Sequence, residues 1–309
     1  MPLEDNRMTL RLRRSELATP GSSEKMIAKG AASDADLVFL DLEDAVAPAQ
    51  KESAREMTID ALNGLDWGRK TRAVRINAVN TVWVLDDIVQ TVERAGKRLD
   101  VIIIPKVKAP RDVWFVETLL DQLEARLGLT NRIGLEVLIE EVEALARVDE
   151  IAACSPRLEA LILGVGDLSA SQGVRMGHVS DPALRYPGDI WHYARVRMVV
   201  AARSNGLDAI DGPFPDYRDG DAYRREATQG STLGCVGKWA IHPDQVPIAN
   251  EVFAPTEKEI SLAKRMVEAY EAAQTGGAGA GSAAGVLVDA ATVRIFQAVL
   301  ERAKLTQTP

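Results

Sequence analysis

The sequence predicts an α/β protein, a (β/α)8 TIM barrel with a C-terminal flap segment. Three observations predict it. Short apolar, β-branched runs recur along the chain, amphipathic stretches of helical period lie between most of them, and eight such runs fit between Ser15 and Ala263. Strands alternating with helices build a parallel sheet, and eight such units occupy about 250 residues in a typical closed barrel. A doubly wound sheet is the alternative, but no Gly-x-Gly-x-x-Gly follows an early run.

The elements follow in order. A weak first run, residues 15–20, leads into Pro20-Gly21-Ser22-Ser23, whose small residues and backbone N–H groups suit a phosphate. Lys29 lies on the following helix as a phosphate contact or a solvated charge. The second run, 37–44, ends in Glu43-Asp44, and a helix is expected over 49–63. The third, 72–77, ends in Arg75-Ile76-Asn77 before a helix at 81–95. The fourth, 101–106, ends in Lys106 before a helix at 111–127. The fifth, 135–140, closes on Glu140 before a helix at 141–153, and the sixth, 158–167, closes on Asp167.

Residues 175–189 form a Gly/Pro-punctuated connection too long for an ordinary turn, expected to cover the site. A helix at 190–204 follows, with Asp189 as cap and Gly206 past its end. The last runs are 207–211, ending in Asp211, and 235–242, ending in His242. Residues 274–285 contain five glycines and read as a flexible linker, beyond which apolar periodicity resumes. The expected organisation is a catalytic barrel over 1–273, a Gly/Ala-rich hinge over 274–285 and a flap over 286–309.

Composition bounds the function. In 309 residues, Lys+Arg 37 against Asp+Glu 45 gives a net charge of −8, which argues against nucleic acid as the main partner. No apolar run approaches the roughly 18 residues needed to cross a bilayer, and no signal peptide is recognisable, so no membrane partner is expected. Cys154 and Cys235 are the only cysteines, too few for a disulfide framework or a Cys-x-x-Cys metal site, and a cytoplasmic location is expected.

In a barrel, chemistry sits where the strands end. Reading those ends gives Glu43-Asp44, Arg75 and Asn77, Lys106, Glu140, Asp167, Asp211 and His242: carboxylates around fixed cations and one imidazole. Oxygen ligands without Cys or clustered His suit a hard ion such as Mg²⁺. His178, His192 and His242 have no zinc spacing. Glu140 and Asp167 close adjacent strands, so both carboxylates can meet above the mouth and hold the ion. Arg75 offers a planar fork for a substrate carboxylate. Glu136 precedes Glu140 by four residues with the same side-chain parity; facing inward, it must be paired.

Taken together, Pro20-Gly21-Ser22, Leu40-Asp41-Leu42-Glu43-Asp44-Ala45-Val46-Ala47-Pro48, Arg75-Ile76-Asn77, Ile104-Pro105-Lys106, Glu140, Gly164-Val165-Gly166-Asp167-Leu168 and Ile241-His242-Pro243 resemble the citrate lyase β-subunit-like family of Mg²⁺-dependent aldolases and CoA-ester lyases. Residues 63–68 and 237–243 are most similar to its malyl-CoA and β-methylmalyl-CoA lyase branch. The resemblance implies Mg²⁺, with Mn²⁺ as a substitute, on Glu140 and Asp167, and Glu43 and Asp44 holding metal-bound waters. It implies Arg75 on the carboxylate of a 2-oxo acid, and Lys29, Ile241 and His242 at the CoA thioester. Ser23 and Gly166 belong to motifs at the same site. Leu287-Val288-Asp289 matches a C-terminal motif whose Asp acts on a neighbouring subunit's site, which makes Asp289 the candidate acid/base and implies a homotrimer or homohexamer.

The implied reaction is cleavage of a 3-hydroxyacyl-CoA to glyoxylate plus acetyl- or propionyl-CoA, and its reversal. Citramalyl-CoA lyase, malyl-CoA thioesterase and malate-synthase-like activities are the enzymatic alternatives, and a scaffold subunit the non-enzymatic one. The chain departs from the family pattern at Ala18, Ser23 and Val286. Those positions bear on how CoA and the flap are held.

Overall fold

The computed structural model describes residues 11–175, 188–283 and 285–307. It contains the expected closed barrel. β1 (Ser15–Pro20), β2 (Leu37–Asp41), β3 (Thr71–Arg75), β4 (Val101–Ile104), β5 (Gly134–Ile139), β6 (Leu158–Leu163), β7 (Asp208–Asp211) and β8 (Gly237–Ala240) pair in chain order, and β8 returns to β1. All pairs are parallel. Barrel strands are covered on both faces, which explains why their sequences are apolar runs rather than alternating ones. Leu37, Phe39, Val101, Ile103, Leu138, Ile162, Ile210 and Trp239 form the core cluster of this barrel.

The helices are α1 (Glu24–Ala31), α2 (Lys51–Gly64), α3 (Val84–Ala95), α4 (Pro110–Leu127), α5 (Val142–Ala146), α6 (Val148–Ala152), α7 (Val165–Gln172), α8 (His192–Ser204), α9 (Gly220–Leu233) and α10 (Gln245–Val252). The single helix expected over 141–153 is two, broken at Arg147, whose backbone (φ −117°, ψ 21°) leaves the helical region. The sixth run also ends earlier than expected. Its strand stops at Leu163 and α7 starts at Val165, so Asp167 lies in a helical first turn rather than on a strand end. Of the long connection expected over 175–189, residues 176–187 lie outside the described residues.

An ion-pair cluster gathers residues from three strands of the barrel and the segment leading into β1. Arg13 is fully buried; its Nε donates to Glu136 at 2.9 Å, its Nη1 to Asp208 at 3.2 Å, and its Nη2 pairs with Glu159. Glu136 therefore has the partner that its inward parity demands. Gly237 permits the closure: a Cβ there would stand 1.7 Å from the Arg13 carbonyl oxygen.

The chain divides into two compact units between Asn250 and Glu251, earlier than the boundary expected at 273. The second unit comprises α11 (Glu257–Thr275), β9 (Ala280–Ala283), β10 (Val286–Asp289) and α12 (Val293–Gln307), with β9 and β10 an antiparallel hairpin. The stretch expected to be a plain flexible linker thus holds the end of a helix and a strand. Its small residues answer to packing: a Cβ on Gly281 would meet the Ala269 carbonyl oxygen at 2.4 Å, so β9 lies against α11 only as glycine. Met266, Val288 and Val293 form this unit's core. Among the described residues no helix is long and apolar enough to cross a membrane.

Candidate active site

Asp41 ends β2 and is the register partner of Arg75, which ends β3. Arg75 Nε and Nη2 donate to the two Asp41 oxygens at 2.7 and 2.6 Å, and Nη1 lies 3.1 Å from Glu43. Of five guanidinium N–H donors, Asp41 takes two and Glu43 one, so one N–H on each terminal nitrogen remains. The guanidinium also stands 6.0 Å from the Phe39 ring and 5.5 Å from the Trp239 ring, within cation–π range. Asp41 further accepts from the backbone N–H groups of Glu43 at 2.8 Å and Ala45 at 3.1 Å, which folds the turn carrying Glu43 and Asp44. Lys51 locks that turn from the other side, its ammonium donating to the Leu42 and Glu43 carbonyls at 2.7 Å each.

Glu140 follows β5 and is 2% exposed. Its Oε1 accepts from the Lys106 backbone N–H at 2.7 Å. Lys106 has φ +51°, the only described non-glycine residue in the left-handed region, a conformation that costs about 1–2 kcal/mol. That backbone aims its N–H at Glu140 while its ammonium pairs with Glu43 and reaches Asp44 at 3.0 Å. Burial pushes the Glu140 carboxyl up to about 8, with Asp167 and Glu43 adding to the rise against the Lys106 N–H and Arg75. Burial alone would raise Asp44 too, but Lys106 holds it below its ordinary value. Gly164 leaves room for the Glu140 side chain, since a Cβ there would lie 2.4 Å from the Glu140 Cβ and 2.6 Å from Oε2.

These groups surround one cavity of about 410 Å³, lined among others by Asp44, Arg75, Glu140, Gly166, Asp167 and Ile241. The structure thus brings together six of the expected residues, and Glu43 pairs with Arg75 and Lys106. Three other expected residues of the same unit lie outside the cavity. Ser23 caps α1 through a 3.4 Å bond from the Met26 N–H, Lys29 is exposed on α1, and His242 stacks on Tyr217 at 4.7 Å; none of these three lines the cavity. Asp211, expected at the mouth, is instead fully buried against Lys238 and Arg195, each donating at 2.8 Å. Asp289 belongs to the second unit. Its carboxylate accepts from the Thr292 and Ala291 N–H groups and the Thr292 hydroxyl, and these bonds lower its proton affinity.

Sequence reasoning passed over Asp41, Trp239 and the Lys106 backbone. Asp41 carried a signal: a carboxylate closing an apolar strand directly before the strand that Arg75 closes.

The donor set accommodates a hard cation. A nearly dry carboxylate facing a second carboxylate is a poor resting arrangement, and a divalent ion between them reverses the penalty. Among the described residues no three His, Cys, Asp or Glu side chains converge as a metal cage. Such an ion would therefore rest on two carboxylates with water and substrate oxygens, as Mg²⁺ accepts.

A model of the HpcH/HpaI aldolase/citrate lyase family matches residues 14–243. The chain belongs to this family. Within it, the chain is 42% identical over 301 residues to the L-malyl-CoA/β-methylmalyl-CoA lyase of Cereibacter sphaeroides, covering 94% of this chain and 95% of that protein. It is 38% identical over 290 residues to the malyl-CoA/β-methylmalyl-CoA/citramalyl-CoA lyase of Chloroflexus aurantiacus, covering 89% and 82%. Among solved structures, it is similar to the protein CitE from Mycobacterium tuberculosis in complex with magnesium, acetoacetate and coenzyme A. That match has a TM-score of 0.72 and 27% identity, over 94% of this chain and 97% of that one.

Proposed function

We propose that this chain is a Mg²⁺-dependent carbon–carbon lyase that cleaves malyl-CoA or β-methylmalyl-CoA to glyoxylate and acetyl- or propionyl-CoA, and forms them by the reverse condensation. The observation that carries the reading is the cavity that Glu140 and Asp167 share with Arg75, whose guanidinium keeps two open N–H donors. Glu140 and Asp167 would hold the ion, whose role when bound is to polarise the keto oxygen of the 2-oxo acid as a Lewis acid. Arg75 grips the carboxylate of that acid through its two remaining donors, and Asp41 fixes their direction. Glu43 and Asp44, steadied by Lys106, orient water at the edge of the site.

Asp289 is the acid/base at the α-carbon of the thioester. Its hydrogen bonds keep it ionised and ready to accept the proton. In this reading residues 286–309 close over the site of a neighbouring subunit in a homotrimer or homohexamer, while Ser23, Lys29, Gly166, Ile241 and His242 contact the CoA thioester. We place the enzyme in the cytoplasm, in keeping with its two cysteines.

The test is to incubate the protein with Mg²⁺, acetyl-CoA and glyoxylate and to follow malyl-CoA and free thiol together. Malyl-CoA accumulating without thiol release is the expected result. Free CoA appearing with malate would assign a thioesterase or malate-synthase-like outcome, and no condensation with any 2-oxo acid would leave a scaffold.

A further inference from the structure

The barrel encloses a second set of carboxyl groups that the reaction does not use. Glu16 on β1 and Glu136 on β5 are both fully buried. Glu136 Oε1 accepts from Arg13, and Glu16 Oε2 accepts from the indole N–H of Trp239 at 2.8 Å. The other two oxygens, Glu16 Oε1 and Glu136 Oε2, are buried without a hydrogen-bond partner. Two ionised carboxylates buried this way repel each other, and the single Arg13 guanidinium offsets that repulsion only in part. Burial and the nearby Glu136 push the Glu16 carboxyl well above the usual carboxylate range.

A buried arrangement this costly calls for a reason, and Trp239 supplies it. Its ring lines the cavity, lies 4.4 Å from the Phe39 ring and stands 5.5 Å from the Arg75 guanidinium. Indole has one polar atom, Nε1–H, and Glu16 is its acceptor. We propose that Glu16 is a positioning residue for the 2-oxo acid: by holding the Trp239 N–H it fixes the aromatic shelf beside Arg75, and so the aim of the two open guanidinium donors. The inference rests on Arg75 being the carboxylate clamp.

Glu16→Gln and Glu16→Leu separate this role from simple packing. Gln keeps an oxygen for the indole and replaces the second, unpartnered oxygen with an amide nitrogen. Leu keeps the bulk and loses the acceptor. Glu16→Leu is expected to raise the KM for glyoxylate about tenfold while the KM for acetyl-CoA stays put, since small displacements of a positioning group are costly. Glu16→Gln is expected to recover most of that loss. Tryptophan emission should shift in Glu16→Leu, and the shift should vanish when Trp239→Phe is added.

A merely structural role would lower kcat or the yield of active protein and leave the KM for glyoxylate alone. An unchanged KM in Glu16→Leu, or equal defects in Leu and Gln, overturns the proposal. Should Glu16→Leu fail to fold, Trp239→Phe alone, which keeps a ring and loses the anchored N–H, carries the same KM prediction. Arg75→Lys is the control: an unchanged KM there refutes the clamp itself, whereas a raised KM there with none in Glu16→Leu refutes only the positioning.

Discussion

Asp41 is the most exacting test of the site. It is 2% exposed and holds Arg75 by two bonds of 2.7 and 2.6 Å, besides accepting two backbone N–H groups. Asp41→Ala strands a buried guanidinium on Glu43 alone, and breaking a buried pair in this way costs about 3–5 kcal/mol. At about 2–4 °C per kcal/mol for a barrel of this size, the melting temperature should fall by roughly 6–20 °C. Asp41→Asn keeps one acceptor and should cost about 1.5–3 kcal/mol, the worth of a charge-assisted bond. The freed fork also loses its aim, so kcat/KM for glyoxylate should drop about 100-fold in Asp41→Asn. Calorimetry and steady-state kinetics on both variants give the readout. A melting temperature within 2 °C of the parent for Asp41→Ala (about 1 kcal/mol or less), with kcat/KM within about threefold (~0.7 kcal/mol), would refute the reasoning.

The remaining expectations concern other parts of the molecule. Gly164→Ala suits the local backbone (φ −93°) but drives a methyl into Glu140, so Mn²⁺ affinity measured by paramagnetic resonance should fall about 10–100-fold. Chelation should abolish turnover and Mg²⁺ or Mn²⁺ should restore it; activity persisting in chelator would remove the metal from the scheme. Burial alone would raise Asp211, yet Lys238 and Arg195 hold it below its ordinary value. A depressed carboxylate stabilises the fold above its unfolded value of about 3.9 and loses that contribution as pH falls through the lower folded value. The melting temperature should therefore drop in acid below about pH 4, and Asp211→Asn should flatten that limb while lowering stability at neutral pH. Asp289→Asn should stop exchange of the acetyl-CoA α-proton, and mixing it with Arg75→Ala should restore partial activity if the two residues act from different subunits.

The barrel was legible because strand-forming runs buried on both faces are continuous in sequence, and each ends where polar residues begin. Glu140, Arg75 and the Glu43-Asp44 turn were legible for the same reason, since strand ends are where a barrel exposes its chemistry, whereas Asp167 reaches the same cavity from the first turn of α7. Other features depended on relations that a linear reading does not contain. Asp211 looked like a site carboxylate until Lys238 and Arg195 claimed it from neighbouring elements. Lys106 acts through a left-handed backbone that no residue preference announces. The glycines of 274–285 look the same whether they confer freedom or allow a strand to lie against a helix, and Gly281 does the second. Trp239 stood in the sequence only as part of the 237–243 motif, and it is both a member of the barrel core and part of the wall of the site.

The closure of the barrel has a consequence for how the chain is made. β1 precedes every other strand of the barrel, whereas its second neighbour is β8, and Glu16 and Trp239 are 223 positions apart. Until the eighth strand leaves the ribosome, β1 and the newest strand are open edges, the kind of surface that recruits other chains. Arg13 meets its carboxylates at separations of 123, 146 and 195 residues, in the order in which synthesis delivers them. Pairing with each carboxylate as it emerges would tie the segment before β1 to the growing sheet ahead of β8. Shortening the chain past Arg13 should leave the site's own residues intact and still harm the protein, as lower yield and aggregation during expression.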